Sequence, residues 1–237
     1  MVKFILNIIV LSSVILSSCA YVTVPHKIKK EFDFCYDGQK TELNSIINTK
    51  GYYSIEDIYE KPIYGEGNLL TKKQSFVLDT TYQHLLFFED GTFITGFFDF
   101  DEERRKNEVS NISLLFKELS EEPNGKAATS FKKWFKWGVY KLDKDTIKVQ
   151  WITHPETFSP YWYASEVWYK VIDRNTIIEV FSKPLHTSES IKKETNIKPA
   201  KFMSTEELPP SDCWLKKEDW FWCDKEKFRA WKKAKKR

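Results

Sequence analysis

The sequence predicts a mainly β fold, an antiparallel up-and-down barrel, on three observations. Short segments rich in aromatic and β-branched residues recur from Gly51 to Met203, punctuated by Gly, Asn, Asp and Ser. Within them the side chains alternate with period two: Ile147, Val149 and Trp151 stand against Lys148 and Gln150, so one side of the strand faces a core and the other faces out. Tight turns join consecutive segments, which makes a meander. A long meander leaves two open edges, and wrapping it into a barrel removes them.

The elements follow in order. Gly51-Tyr52-Tyr53-Ser54-Ile55 opens the series, and Phe76-Val77-Leu78 follows the turn at Gly65-Glu66-Gly67-Asn68. His84 to Phe88 and Phe93 to Phe98 flank Glu89-Asp90-Gly91-Thr92; Asp-Gly between apolar runs is a hairpin signal because glycine adopts positive φ without strain. Two further hairpins turn at Asp143-Lys144-Asp145 and at Asp173-Arg174-Asn175. Residues 99–133 break the pattern as an insertion expected over a rim, with a short helix from Ile112 to Leu119 capped by Asn111. Lys201-Phe202-Met203 reads as a last strand, Pro209-Pro210 ends regular structure, and residues 217–237 read as a basic helix packed outside, with Phe221, Phe228 and Trp231 on one face. Residues 51–237 thus form the barrel domain, and residues 19–50 read as a tether and lead-in.

The N-terminus carries an address. Lys3 precedes an apolar stretch from Phe4 to Leu16, too short for a spanning helix of about 20 residues and of the length of a secretory signal core. Leu16-Ser17-Ser18-Cys19 follows. This resembles the signal of bacterial lipoproteins, which implies removal of residues 1–18, acylation of Cys19 and anchorage in the bilayer through its acyl chains. Ala20 stands where that family carries Asp for inner-membrane retention, so the resemblance implies the outer membrane of a Gram-negative cell, on its periplasmic face.

Composition agrees with a secreted single domain. Of 237 residues, 37 are basic and 34 acidic, a net charge of +3; a whole-chain nucleic-acid binder is more lopsided, and none is expected as a partner. After acylation of Cys19, three cysteines remain: Cys35, Cys213 and Cys223. An oxidising compartment permits a disulfide. A Cys213–Cys223 bridge requires the chain to turn between them, because a straight helix parts residues ten apart by about 15 Å and a bridge needs under about 7 Å. Cys35 with either of the others is the alternative.

The order Gly51-Tyr52-Tyr53, Phe93 after Asp90-Gly91, Trp137-Gly138-Val139-Tyr140 with Asp145-Thr146-Ile147, and then a C-terminal helix resembles the lipocalin-like domains of outer-membrane lipoproteins. Tyr53 stands where lipocalins proper carry the tryptophan of Gly-x-Trp. The resemblance implies a barrel of eight to ten strands enclosing an apolar cavity, and it implies no chemistry.

The residues point to no reaction. His26, His84, His154 and His186 lack partners at metal spacing. No nucleophile elbow or phosphate-cradling loop is present. Asp99, Asp101 and Glu103 have calcium-ligand spacing, but Arg104 falls where the turn glycine belongs. A non-catalytic protein without a cofactor is expected. Two features remain. Trp137, Tyr140 and Trp151 are candidates to line a cavity for a small apolar or amphipathic ligand; the other reading is a filled barrel acting through its surface. Residues 216–237 hold ten basic and four acidic side chains, and Arg229, Trp231, Lys232 and Lys233 are candidates to contact anionic lipid or an acidic protein partner.

Overall fold

The computed structural model describes residues 23–63, 75–96, 108–153, 162–185 and 198–235. A helix α1 (His26–Glu31) leads to eight strands: β1 (Gly51–Ile63), β2 (Ser75–Phe87), β3 (Thr92–Thr95), β4 (Lys136–Asp143), β5 (Thr146–Thr153), β6 (Tyr163–Asp173), β7 (Thr176–Pro184) and β8 (Pro199–Ser204). Helices α2 (Glu108–Glu121) and α3 (Lys126–Trp134) lie between β3 and β4, and α4 (Lys225–Ala234) comes last. Each strand pairs antiparallel with the next, and β8 returns to β1 through Gly51↔Ser204 and Tyr53↔Phe202, closing the barrel. Among the described residues no helix is long and apolar enough to cross a membrane.

The period-two pattern places the two sides. Phe87 of β2 and Phe93 of β3 both lie against Tyr169 of β6, with ring centroids 6.2 and 6.4 Å apart. These strands are not neighbours in the closed order, so the contacts cross the lumen. Tyr53, Leu85, Tyr140, Ile147, Val149, Val167 and Ile177 share that inner cluster. Gly138 sits at a tight point: a Cβ there would stand 1.9 Å from the carbonyl oxygen of Gln150, so only glycine lets β4 and β5 approach. At the Asp90-Gly91 hairpin Gly91 takes φ +88°, as its turn requires.

Two differences from the sequence reading concern strands. Phe76 to Leu78 and His84 to Phe88 belong essentially to one long strand, β2; the intervening Asp79-Thr80-Thr81 does not interrupt pairing, since Thr suits a pleated strand. Beyond Ser54, β1 pairs only with β2 among the described residues, leaving a ribbon on which Ile58 and Leu78 are exposed.

The flanks differ more. The expected tether is structured from Val24 onward: Val24, Ile28, Phe32 and Tyr36 are buried on the barrel's outer side, and Leu43 and Ile47 are fully buried against the inner cluster. Their burial, worth roughly 1.5–3 kcal/mol for each large apolar side chain, makes residues 24–50 part of the domain. The insertion packs on the flank: Phe116 of α2 meets Tyr52, and Phe131 of α3 meets Trp137. Asn111 lies inside α2, not at its cap. The C-terminal helix begins at Lys225, where Asp224 accepts hydrogen bonds from the backbone of Glu226 and Lys227. Residues 214–217 and 219–221 form 3-10 turns instead, and Phe221 is buried there.

Candidate functional site

The three candidate cavity residues do not share a wall. Trp137 points outward. It is fully buried between Phe88 and Phe131, and its indole N–H donates to the carbonyl of Phe131 at 3.2 Å. Trp137 and Tyr140 stand three residues apart on β4, so alternation sets them on opposite faces; the cover that buries Trp137 on the outer face comes from α3, through Phe131. Tyr140 does point inward, and it belongs to the packed floor. Its hydroxyl donates to the Phe88 carbonyl at 2.7 Å and lies 2.6 Å from the Thr41 hydroxyl. Burial pushes its pKa well up, as it does for Tyr53 and Tyr169.

Those side chains fill the lower lumen. Phe87 contacts Tyr53, Phe93, Tyr140 and Tyr169, and Leu43 and Ile47 close over the same cluster. The Tyr53 hydroxyl donates to the Arg174 carbonyl at 2.7 Å and accepts from the Asn48 amide, which ties the plug to the β6–β7 turn.

Trp151 lies higher, one layer toward the other end. Its indole stacks with Tyr163 at 6.2 Å, and the Lys136 ammonium sits 4.8 Å from its centroid. Gln83 and Thr95, joined by a hydrogen bond, share that level across β2 and β3. The sequence reading passed over Lys136, Gln83 and Thr95; strand parity carried the signal, since each pairs directly or through one partner with an inward residue.

Two polar clusters sit on the outer side. Gln150 faces out but is buried by the N-terminal segment: its amide donates to Asp33 and Glu166, and its carbonyl accepts from the Phe34 amide. Facing out on a strand is therefore not facing water here. At the β2–β3 hairpin, Asp90 lies 2.7 Å from the ammonium of Lys216, whose side chain is only 7% exposed. Burial alone raises the Asp90 pKa, but the Lys216 charge and hydrogen bonds from Lys216, Thr92 and Ser211 hold it below the usual carboxylate value.

The cysteine pairing is corrected. Cys35 bonds Cys223, and Cys213 is the free, buried thiol. Tyr36 and Trp222 form a parallel bridge in which the Tyr36 amide donates to Phe221 and the Cys223 amide to Tyr36, so the backbone already holds residues 35 and 223 side by side. Cys213 is instead turned into the core, where burial pushes its pKa up to about 11, making it a poor nucleophile.

On α4, Phe228 and Trp231 pack on Trp222, while Arg229, Lys232 and Lys233 are exposed. Arg229 pairs with Glu226, and Lys232 lies over Phe228. Two concavities lined by described residues open outward. One of about 470 Å³ lies between β1 and β8, beside Tyr52, Ile58, Tyr82 and Met203; one of about 730 Å³ lies between α2 and the end of β8. Among the described residues no group of His, Cys, Asp and Glu is placed to hold a metal ion. Cys19, His154, His186 and Asp99 to Glu103 lie outside the described residues.

No family model matches this chain. No curated protein and no solved structure matches it either.

Proposed function

We propose that this chain is a lipid-anchored protein of the bacterial envelope that works through its outer surface, with a barrel serving as a filled, lipocalin-like scaffold. The observation that carries the reading is the lower lumen, where Tyr53, Phe87, Phe93, Tyr140 and Tyr169 meet across the barrel and Leu43 and Ile47 stop its end. A carrier of apolar ligands needs a few hundred Å³ of interior, and these side chains occupy that space. The Cys35–Cys223 bond suits an oxidising compartment and so supports export, in line with the Leu16-Ser17-Ser18-Cys19 signal and an outer-membrane address.

Native mass spectrometry of protein extracted from its own envelope tests this. The expected mass is the chain from Cys19 plus its acyl groups. A stoichiometric small apolar molecule retained in addition overturns the filled-scaffold reading. Metabolic labelling with a fatty-acid analogue should tag the wild type, and tagging that persists in Cys19→Ser removes the anchor.

One observation favours a second reading, a small ligand held at the upper level of the lumen. There Trp151, Tyr163 and Lys136 present two ring faces and a cation. Its signature is a ligand-dependent change in fluorescence that Trp151→Phe abolishes.

A further inference from the structure

Helix α1, which follows Cys19 closely in the sequence, and the basic helix α4 lie on the same flank. Val24 is buried, and α1 follows it directly. The chain from Cys19 to Val24 is five residue steps, which reach at most about 18 Å when fully extended. With Cys19 acylated as proposed above, the surface around Val24 and α1 is held within that reach of the headgroups.

That surface is continuous with α4. Lys29 lies over the Trp220 ring, and Phe32 contacts Trp220 and Phe221. Trp222, next in the chain, carries Phe228 and Trp231 of α4, and Lys227 reaches back to the Asp37 carbonyl. One aromatic cluster thus supports both helices. The charge on them is one-sided. Helix α1 carries three lysines against one glutamate. Helix α4 carries four lysines and an arginine against Glu226, with Asp224 engaged as its cap; at the joint Glu218 and Asp219 precede Trp220, and Glu218 accepts from its indole N–H. Lys27, Lys30, Lys225, Arg229, Lys232 and Lys233 are exposed.

We propose that α1 and α4 together form the face by which the domain lies against the anionic phospholipid headgroups of the membrane that holds Cys19. This rests on the reading of Cys19 as acylated. Each lysine or arginine near an anionic bilayer adds attraction that falls off within a Debye length, and the short link keeps the face inside that range. The β1–β8 groove lies across the barrel from strands β4 and β5, which carry this strap, so it points away from the bilayer.

The test uses the whole mature chain with Cys19→Ser, so that no acyl chain contributes. It is floated with vesicles of phosphatidylethanolamine containing about a quarter phosphatidylglycerol at low salt, and with phosphatidylcholine vesicles. Binding is expected on the anionic vesicles and absent on the neutral ones. Lys27→Gln with Lys30→Gln should weaken it at least about fivefold, and Arg229→Gln with Lys232→Gln and Lys233→Gln at least about tenfold. Lys201→Gln, on the outer side of β8, should change nothing, and unchanged melting temperatures certify the fold. If only the α4 set matters, the shared face is overturned in favour of the tail alone. If neither set matters, or if only an acidic protein binds, the membrane face is overturned outright. Fatty-acid labelling of the wild type reports the anchor separately, so the two failures are distinguishable.

Discussion

The two sides of the same eight strands are held in different ways. Inside, the contacts arise from the meander itself: Tyr53, Phe87, Phe93, Tyr140 and Tyr169 come from strands joined mostly by short turns. Outside, Leu86, Ile94, Trp137, Val139 and Ile152 are as deeply buried, but their cover comes from the two chain ends and the α2–α3 insertion. A disulfide spanning 188 positions holds the ends together. The inner core is therefore mostly a property of the strands and their closure, and the outer core a property of segments outside the sheet.

Truncating the inner core should have the largest effect. Phe93→Ala leaves a void among Phe87, Tyr169 and Gly138 and should cost about 4 kcal/mol, unfolding the whole domain at lower denaturant without a separate phase. A biphasic denaturation curve would show that the inner core is not the cooperative unit.

Removing the strap's bond comes next. Cys35→Ser with Cys223→Ser should lower stability by about 2–4 kcal/mol. The comparison sharpens if hydrogen exchange accelerates in residues 24–36 and 211–235 before the barrel strands. Uniform acceleration would mean that the two cores are one.

A third prediction uses pH. His84 is fully buried on the outer side against Tyr52, and burial lowers its pKa to about 4. Unfolded, it titrates near 6.5. Its folded value is depressed, so its contribution is complete above pH 6.5 and is lost as pH falls toward 4. Between pH 7 and 5 the wild type should lose about 2 kcal/mol from this residue. His84→Phe should flatten that slope; an unchanged slope places the titrating group elsewhere.

The smallest effect should come from Trp151→Phe. At the upper level of the lumen it is held by Tyr163 and Lys136, and its loss should cost about 1 kcal/mol or less. A loss as large as that of Phe93→Ala would place Trp151 within the central core.

What the sequence made legible follows the same division. Closure, antiparallel order and the hairpins at Gly91, Lys144 and Arg174 were readable because turn chemistry and alternation are local. Tyr140 and Trp151 point inward as their parity requires. Trp137, three residues from Tyr140 on the same strand, has the opposite parity and could not share its wall; what alternation leaves unsaid is the cover on the outer side, supplied by α3 over Trp137 and by residues 33–34 over Gln150. The Cys35–Cys223 pair was one of three arrangements that spacing allowed, and a contact across most of the chain leaves no periodic trace. Residues 24–50 looked like a tether although their buried apolar positions, Val24, Ile28, Phe32 and Tyr36 and then Leu43 and Ile47, recur at every fourth residue, the spacing of a helical face; the mixed charge between them hid that stripe.

Under the export proposed above, the bond between Cys35 and Cys223 would set an order of events. Cys35 would cross the membrane early and Cys223, 188 positions later, near the end, leaving the first thiol without its mate for most of translocation. Cys213 emerges ten residues ahead of Cys223 and is the first competitor. Once the Leu215–Phe221 turns are packed that thiol is buried, so under such export the native pairing would be favoured when packing precedes oxidation.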